Sequence, residues 1–422
     1  MVALATVVPW LAHCGSRGSA PRAGDALGMA ADSGACAAGA SDGGMQRFAG
    51  NDARIQYVGR LDLSDPAGPW FSASAVYVTA KFRGDHVAAE IRDEPLQAND
   101  LDFFDVIVDD RPPFRLSLAS RQAVYELAPA ALGGDPLVSS SCEHTVTLIK
   151  RTEAIIGKAQ LLGLSAAGLL PPDPSPTPGR RIEFVGDSYA CGFGIEVTSP
   201  ASVACAENGR GQGGNGQGVE DAYEAYGPVV ARILGAQWHV TCESGVGLVR
   251  NNWIPDPRPM PELYPLLHPG EPPDALLWPV TQWGASGNVV VPGTPDLVVI
   301  GLGGNDLADA VHPIPVGGPL GGPDGGPSLV QGFVQFISRL ATSYPGVSIL
   351  LVSNTLVLRA ATQIVADYYA PGGNGAEANV HVYGYHDDLP YPGDGCQGDP
   401  NAAQQANAAA GMAGYIARIM RW

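Results

Sequence analysis

Residues 182–194 read IEFVGDSYACGFG: a short apolar run, then Gly-Asp-Ser, then two more glycines. The run has the length of a buried strand. Gly186 permits the sharp turn by which a strand gives way to a helix. Ser188 then falls at a helix N-terminus, where free backbone N–H groups and the helix dipole favour negative charge. A serine so placed can attack an acyl carbon while its own N–H helps to hold the developing oxyanion. The plainer reading is that Asp187 and Ser188 only cap a helix.

Downstream, further apolar runs alternate with helical patterns. AQWHVTCES (236–244), PDLVVIGLGG (295–304), VSILLVSN (347–354) and NVHVYGY (379–385) are of strand length. Between or after them lie DAYEAYGPVVARIL (221–234), SLVQGFVQFISRLATSY (328–344) and NAAQQANAAAGMAGYIARIM (401–420), with Asp221, Ser328 and Asn401 placed as N-caps. Strands alternating with helices predict a parallel sheet covered on both faces. In such sheets the site lies at the carboxyl ends of the strands. Ser188 sits at one such end. Asn305, in the GGND that follows the third run, sits at another, and its amide is a neutral donor of the kind an oxyanion hole uses. CESGVGLVRN (242–251) offers Gly245 and Gly247, either of which can present a backbone N–H to the same oxygen. Each segment alone reads equally well as an ordinary turn; three strand ends each delivering one donor are harder to ascribe to chance.

Upstream the pattern changes. SASAVYVTAKF, HVAAEIRD, FFDVIVDD, FRLSL, QAVYELA, TVTLIKRT and KAQLLGLS are short, rich in β-branched and aromatic residues, and separated by polar or Gly/Pro breaks. Such spacing predicts an antiparallel sandwich or jelly roll. LLPPDPSPTPGRR (169–181) carries five prolines. Proline fixes φ and lacks an N–H, so this stretch reads as a stiff linker. The predicted organisation is a leader-like segment and flexible linker over 1–44, an all-β domain over 45–168, a linker over 169–179 and an α/β domain over 180–422.

A chain of 422 residues suits two domains. Its 24 Lys and Arg against 42 Asp and Glu give a formal net charge of −18. That speaks against nucleic acid, whose binding needs cations to neutralise phosphates, and against anionic membrane surfaces. MVALATVVPWLAHC at the start resembles the apolar region of an export signal, and LAHC resembles a lipobox ending in Cys14. The expectation is therefore export, with membrane contact only through a lipid at Cys14. Seven cysteines fit an oxidising compartment. Leaving out Cys14, the pairing of Cys36, Cys142, Cys191, Cys205, Cys242 and Cys396 stays open. No CxxC pair or zinc spacing occurs, so neither a metal nor a cofactor is expected.

Taken together, GDSxxxGxG, SGVG and GGND resemble the SGNH (GDSL) hydrolase superfamily over 170–422. In the front half GRLDLSDP, VIVDD and TVTLIKRTEAIIGKAQLLG are similar to the family 2 carbohydrate esterases, of acetylxylan esterase type. That resemblance implies a small jelly-roll domain followed by a three-layer α/β/α, flavodoxin-like SGNH domain. It implies removal of O-acetyl groups from an acetylated polysaccharide or oligosaccharide, with Ser188 as nucleophile. Its own N–H, the Gly245 N–H and Asn305 would form the oxyanion hole. A lipase or thioesterase of the same superfamily is the alternative within the fold, disfavoured by the absence of a long apolar lid segment.

The pattern breaks in one place. The family's last block reads roughly Gly-Cys-Asp-Trp-His-Pro-Asn, and its His is the general base. Here the matching residues are Gly395, Cys396, Gln397, Gly398, Asp399, Pro400 and Asn401. Asp399 stands at the base position and Gln397 at that of the orienting carboxylate. An ordinary carboxylate is a poorer base than imidazole unless burial raises its pKa. Three expectations follow. Another histidine substitutes, namely His386 beside Asp387 and Asp388, or more weakly His312. Asp399 itself is the base. Or the cleft binds glycans without hydrolysing them. Trp253, Trp278 and Trp283 read equally as a sugar platform or as core.

Overall fold

The computed structural model describes residues 44–422 except 98–99, 120, 128–141, 174–178, 200–204, 206–216, 253, 255, 270–275, 309–312, 324, 376–377 and 385–391. The segment bearing Cys14, together with Trp253, His312 and His386, lies outside the described residues.

The alternating runs of the front half form β1 (Gln46–Ala49), β2 (Gln56–Val58), β3 (Trp70–Phe71), β4 (Tyr77–Pro95), β5 (Phe103–Val108), β6 (Phe114–Ser117), β7 (Gln122–Glu126), β8 (Glu143–Lys150) and β9 (Gly157–Leu170). All pair antiparallel. SASAVYVTAKF and HVAAEIRD, which read as two strands, are one: β4 continues through both, and its register with β9 shifts between Arg83 and Val87. The alternate, inward side chains Tyr57, Phe71, Val78, Phe82, Phe104, Val106, Leu148 and Leu161 make one core. His144, which reads as a surface or edge residue, is buried instead, with Nδ1 2.7 Å from the Asp109 carboxylate.

The second half supplies β10 (Arg181–Gly186), β11 (Gln237–Cys242), β12 (Gln282–Ser286), β13 (Val289–Pro292), β14 (Leu297–Gly301), β15 (Ser348–Ser353) and β16 (Asn379–Gly384). Its helices are α1 (Ser188–Cys191), α2 (Tyr226–Leu234), α3 (Met260–Leu263), α4 (Gly304–Leu307), α5 (Leu329–Ser343), α6 (Leu356–Tyr369) and α7 (Ala402–Met420). Five strands form a parallel sheet in the order β11-β10-β14-β15-β16. Residues of α2 and α7 cover Ile182, Phe184, Trp238 and Val240 on one face. Residues of α5 and α6 cover Val185, Val298, Ile300 and Leu351 on the other. Each such side chain, fully withdrawn from water, contributes about 1.5–3 kcal/mol. Strand order reverses at β10, so the crevice opens at the carboxyl ends of β10 and β14.

Three local expectations need correction. Asp221 does not cap α2, which starts at Tyr226; its carboxylate accepts the N–H groups of Tyr223 and Glu224 and lies 3.2 Å from Arg151. Residues 356–369 form a helix that the reading of the sequence passed over, with Thr355 as its N-cap. And β12–β13 is a hairpin whose first strand pairs antiparallel with β2, so residues 282–292 extend the first sheet although they follow the proline-rich segment. Ser328 and Asn401 do cap α5 and α7, the latter as a capping box with Gln404.

The two sheets are joined by buried charge. Arg60, from GRLDLSDP, reaches Glu183 of β10 at 2.8 Å and stacks over Trp278 at 4.0 Å, while the Tyr264 hydroxyl donates to the same carboxylate at 2.7 Å. Removing one partner of such a pair leaves a buried charge uncompensated, at a cost of about 3–5 kcal/mol.

Candidate active site

Gly186 closes β10 in contact with the next helix: a Cβ there would come within 2.6 Å of the Ala190 Cβ. Asp187 is the N-cap of α1, its carboxylate accepting the Tyr189 N–H at 3.2 Å. Ser188 is the first helical residue and lines a cavity of about 600 Å³. Gly245 and Asn305 line the same cavity, as do Asp187 and Asp399. The three strand ends singled out from sequence therefore converge.

Of the two glycines in SGVG, the geometry selects Gly245. Gly247 donates its N–H to Asn251 Oδ1 at 2.9 Å and is occupied. Among the described residues, the N–H groups of Ser188 and Gly245 have no acceptor. Gly245 has φ 84°, and a Cβ would fall 2.5 Å from the Asn252 carbonyl oxygen, so no other residue fits without displacement. The loop around it is pinned from the β14 side: the Asp306 carboxylate accepts the N–H groups of Leu248, Val249 and Arg250 at 2.7–2.9 Å. Asn305 Nδ2 donates to the Val246 carbonyl at 2.9 Å and makes a longer contact, 3.4 Å, with Asp187 Oδ2. Its second N–H is thus only weakly engaged and faces the nucleophile's turn.

Asp399 lines the same cavity as Ser188, and the Ser188 side chain lies near enough to act on its carboxyl. Burial pushes that carboxyl up to about 8; the Ser188 side chain opposes the shift, and the nearby charges of Asp187 and Glu153 reinforce it. Asp187 is itself raised by burial to about 7. The loop that carries Asp399 is tightly folded: Gly395 donates to the Asp399 carbonyl at 2.6 Å and the Asp399 N–H to the Cys396 carbonyl at 3.0 Å. Gln397 has a left-handed backbone, φ 55°, and an exposed side chain on the cavity rim.

Two disulfides that sequence left open flank this site. Cys191–Cys242 ties α1 to the end of β11, holding Ser188 against the Gly245 loop. Cys205–Cys396 ties the chain after α1 to the Asp399 loop.

No histidine is among the described residues that line the cavity. His239 is buried in β11, stacked on Trp283 at 3.8 Å, and burial lowers its pKa to about 4. Trp278 and Trp283 are 4% and 1% exposed, so they are core and not a sugar platform. The cavity is lined by the polar residues Ser244, Asn252, Asn354, Thr355 and Gln397 and by the apolar residues Phe193, Ile254, Leu307 and Ala308. None of the described lining residues is basic. Asn252, Asn354 and Thr355 escaped the reading of the sequence, although each follows a strand at the site-bearing end of the sheet.

The Carbohydrate esterase 2 N-terminal family model matches residues 57–174. An acetylxylan esterase/glucomannan deacetylase of Cellvibrio japonicus is 25% identical over 376 residues, 89% of this chain and 91% of that protein. The cellulase/esterase CelE of Acetivibrio thermocellus is 31% identical over 256 residues, 60% of this chain; the chain spans only 27% of that longer relative. In three dimensions the chain is similar to a family two carbohydrate esterase from Cellvibrio japonicus, with a TM-score of 0.69 at 24% identity over 90% of this chain and 99% of that one.

Proposed function

We propose that the chain is a family 2 carbohydrate esterase of the SGNH type, and that it removes O-acetyl groups from polysaccharide with a Ser188–Asp399 pair in place of serine and histidine. The meeting of Ser188 and Asp399 in one cavity that also holds Gly245 and Asn305 carries this reading.

The steps follow from the geometry. Ionised Asp399 accepts the proton of Ser188 as its oxygen attacks the acetyl carbonyl carbon. The N–H groups of Ser188 and Gly245 and the Asn305 amide receive the oxyanion. Collapse breaks the bond to the sugar oxygen, which takes the proton back from Asp399. Water then attacks the acetyl-serine with Asp399 again accepting a proton; collapse breaks the bond from the acyl carbon to Ser188 Oγ, which takes that proton back from Asp399, and acetic acid leaves. A carboxyl at about 8 is a much stronger base, once ionised, than an ordinary aspartate. The same shift keeps most of it protonated at pH 7, which defers catalysis to alkaline pH.

Three features support the substrate class. None of the described lining residues is cationic, which suits a neutral ester. Their amide and hydroxyl side chains match sugar hydroxyls better than a lipid tail. And relatives of similar domain layout are named for acetylxylan and glucomannan. Two disulfides accord with action outside the cytoplasm. A second reading, a glycan-binding cleft without turnover, is favoured by the protonated state of Asp399 near neutrality. Hydrolysis of a chromogenic acetate ester separates them. Turnover that Ser188→Ala abolishes establishes the esterase; acetylated-glycan binding with no serine-dependent turnover from pH 6 to 10 establishes the binder.

A further inference from the structure

The motif TVTLIKRTEAIIG lies in the β-rich half, yet its Glu153 ends beside the nucleophile. Glu153 is 2% exposed, in the turn between β8 and β9, and its Oε2 accepts the N–H of Ser244 at 2.6 Å. Ser244 immediately precedes Gly245. We propose that Glu153 is a positioning residue for the oxyanion hole: the first sheet reaches across to fix the Ser244 peptide and so sets the direction of the Gly245 N–H. The proposal rests on the esterase reading above and adds to it a requirement for the amino-terminal half of the chain.

The turn is built to hold such a contact. Lys150 is fully buried, 2.7 Å from Asp102, and its ammonium donates to the Thr152 carbonyl at 2.9 Å and the Glu153 carbonyl at 3.4 Å. Arg151 bridges the halves, 2.7 Å from Asp105 of β5 on one side and 2.6 Å from Glu196 and 3.2 Å from Asp221 on the other. Its Nε donates to the Glu220 carbonyl at 3.0 Å. Lys150 therefore fixes the turn within the first half, while Arg151 and Glu153 reach the second half, Glu153 holding the oxyanion loop. The need is plain from Gly245, whose freedom of backbone rotation must be removed if its N–H is to meet an oxyanion. Asp306 restrains the loop beyond it, at Leu248 to Arg250; Glu153 restrains it from before.

Glu153 has a second consequence. Among the described residues, Asp187 and Glu153, both acidic, are the charges that raise Asp399. Removing one negative charge eases ionisation of Asp399.

The test compares Glu153→Ala with Glu153→Gln in the full chain. The glutamine keeps an acceptor for Ser244 and loses the charge; alanine loses both. Expected for Glu153→Ala is a fall in kcat on an acetate ester of roughly 10²-fold with KM changed less than about 3-fold, the size of effect of one lost oxyanion donor. Glu153→Gln should recover most of that rate, with the midpoint of its pH–rate profile moved to lower pH. Hydrogen exchange gives a readout independent of turnover: amides in 243–249 should exchange at least ~10-fold faster in the alanine variant, with β10 and β14 unchanged. A wild type without serine-dependent turnover would refute the esterase reading, and the exchange data would still decide the placement of the loop. Unchanged exchange over 243–249 in the alanine variant, or a loss confined to KM, would overturn the role of Glu153.

Discussion

The two sides of the cavity are held by different means. Ser188, Gly245 and Asn305 stand on turns that leave β10, β11 and β14, strands whose side chains are almost wholly buried. Their directions are set by the sheet. Asp399 stands on a loop fastened by one disulfide, a few backbone hydrogen bonds and the cap of α7. A substitution on the strand side disturbs packing and geometry together. On the loop side the proposed exchange of imidazole for carboxylate leaves Cys396, Pro400 and Asn401 where the motif has them. The lesson is that the oxyanion hole is tied to the fold and the base is not.

That contrast can be broken experimentally. The largest effect is expected on the strand side: Asn305→Ala should lower kcat about 10²–10³-fold on an acetate ester, read by initial rates at saturating substrate. If the hole is intact and only the base is altered, Asp399→His should raise kcat/KM at pH 7 by roughly 10²-fold, more when Gln397→Asp is added to orient the ring. No gain would mean that the loop no longer presents position 399 to the serine in a productive way. Replacing Cys205 and Cys396 with serine should cost about 2–4 kcal/mol in denaturant unfolding, with activity falling further than for Cys-to-Ser change at Cys142, which lies outside the site.

The smallest effect concerns stability. The Asp399 carboxyl is near 3.8 when unfolded and about 8 when folded, so the folded state binds the extra proton between those values. Wild-type stability therefore declines as pH rises from about 4 to about 8, then levels. Asp399→Asn has no proton to lose. Its advantage over the wild type in thermal unfolding should grow across that window, reaching ~1 kcal/mol or more by pH 8. An advantage independent of pH would show that Asp399 is not held protonated.

The strand-side half of the site was legible because it rests on local signals. A strand-length apolar run followed by Gly-Asp-Ser, Ser-Gly-Val-Gly or Gly-Gly-Asn-Asp names both the strand end and the donor. Helix α6 was legible too, with Leu358, Ala361, Thr362 and Val365 at helical spacing after Thr355, but was passed over. The hairpin β12–β13 carries its Gly287-Asn288 turn in plain view; what sequence does not reveal is its partner β2, more than 200 residues earlier. Glu153 gave no signal of its kind either. One acidic residue after a strand reads as a solvated turn, and only the tertiary fold brings it to Ser244. That Asp399 lines the cavity with Ser188 likewise comes from the tertiary fold, while His386 and His312 lie outside the described residues.

The most direct measurement is the pH dependence of kcat/KM for serine-dependent acetate hydrolysis by the full chain, from pH 5 to 10. With Asp399 as base the rate should be low at pH 6 and climb through a midpoint near 8. Asp399→Asn should remove the climb. A serine-dependent rate that is already at its plateau by pH 7, with a midpoint near that of an ordinary imidazole and insensitive to Asp399→Asn, would contradict the assignment and return the role of base to a histidine.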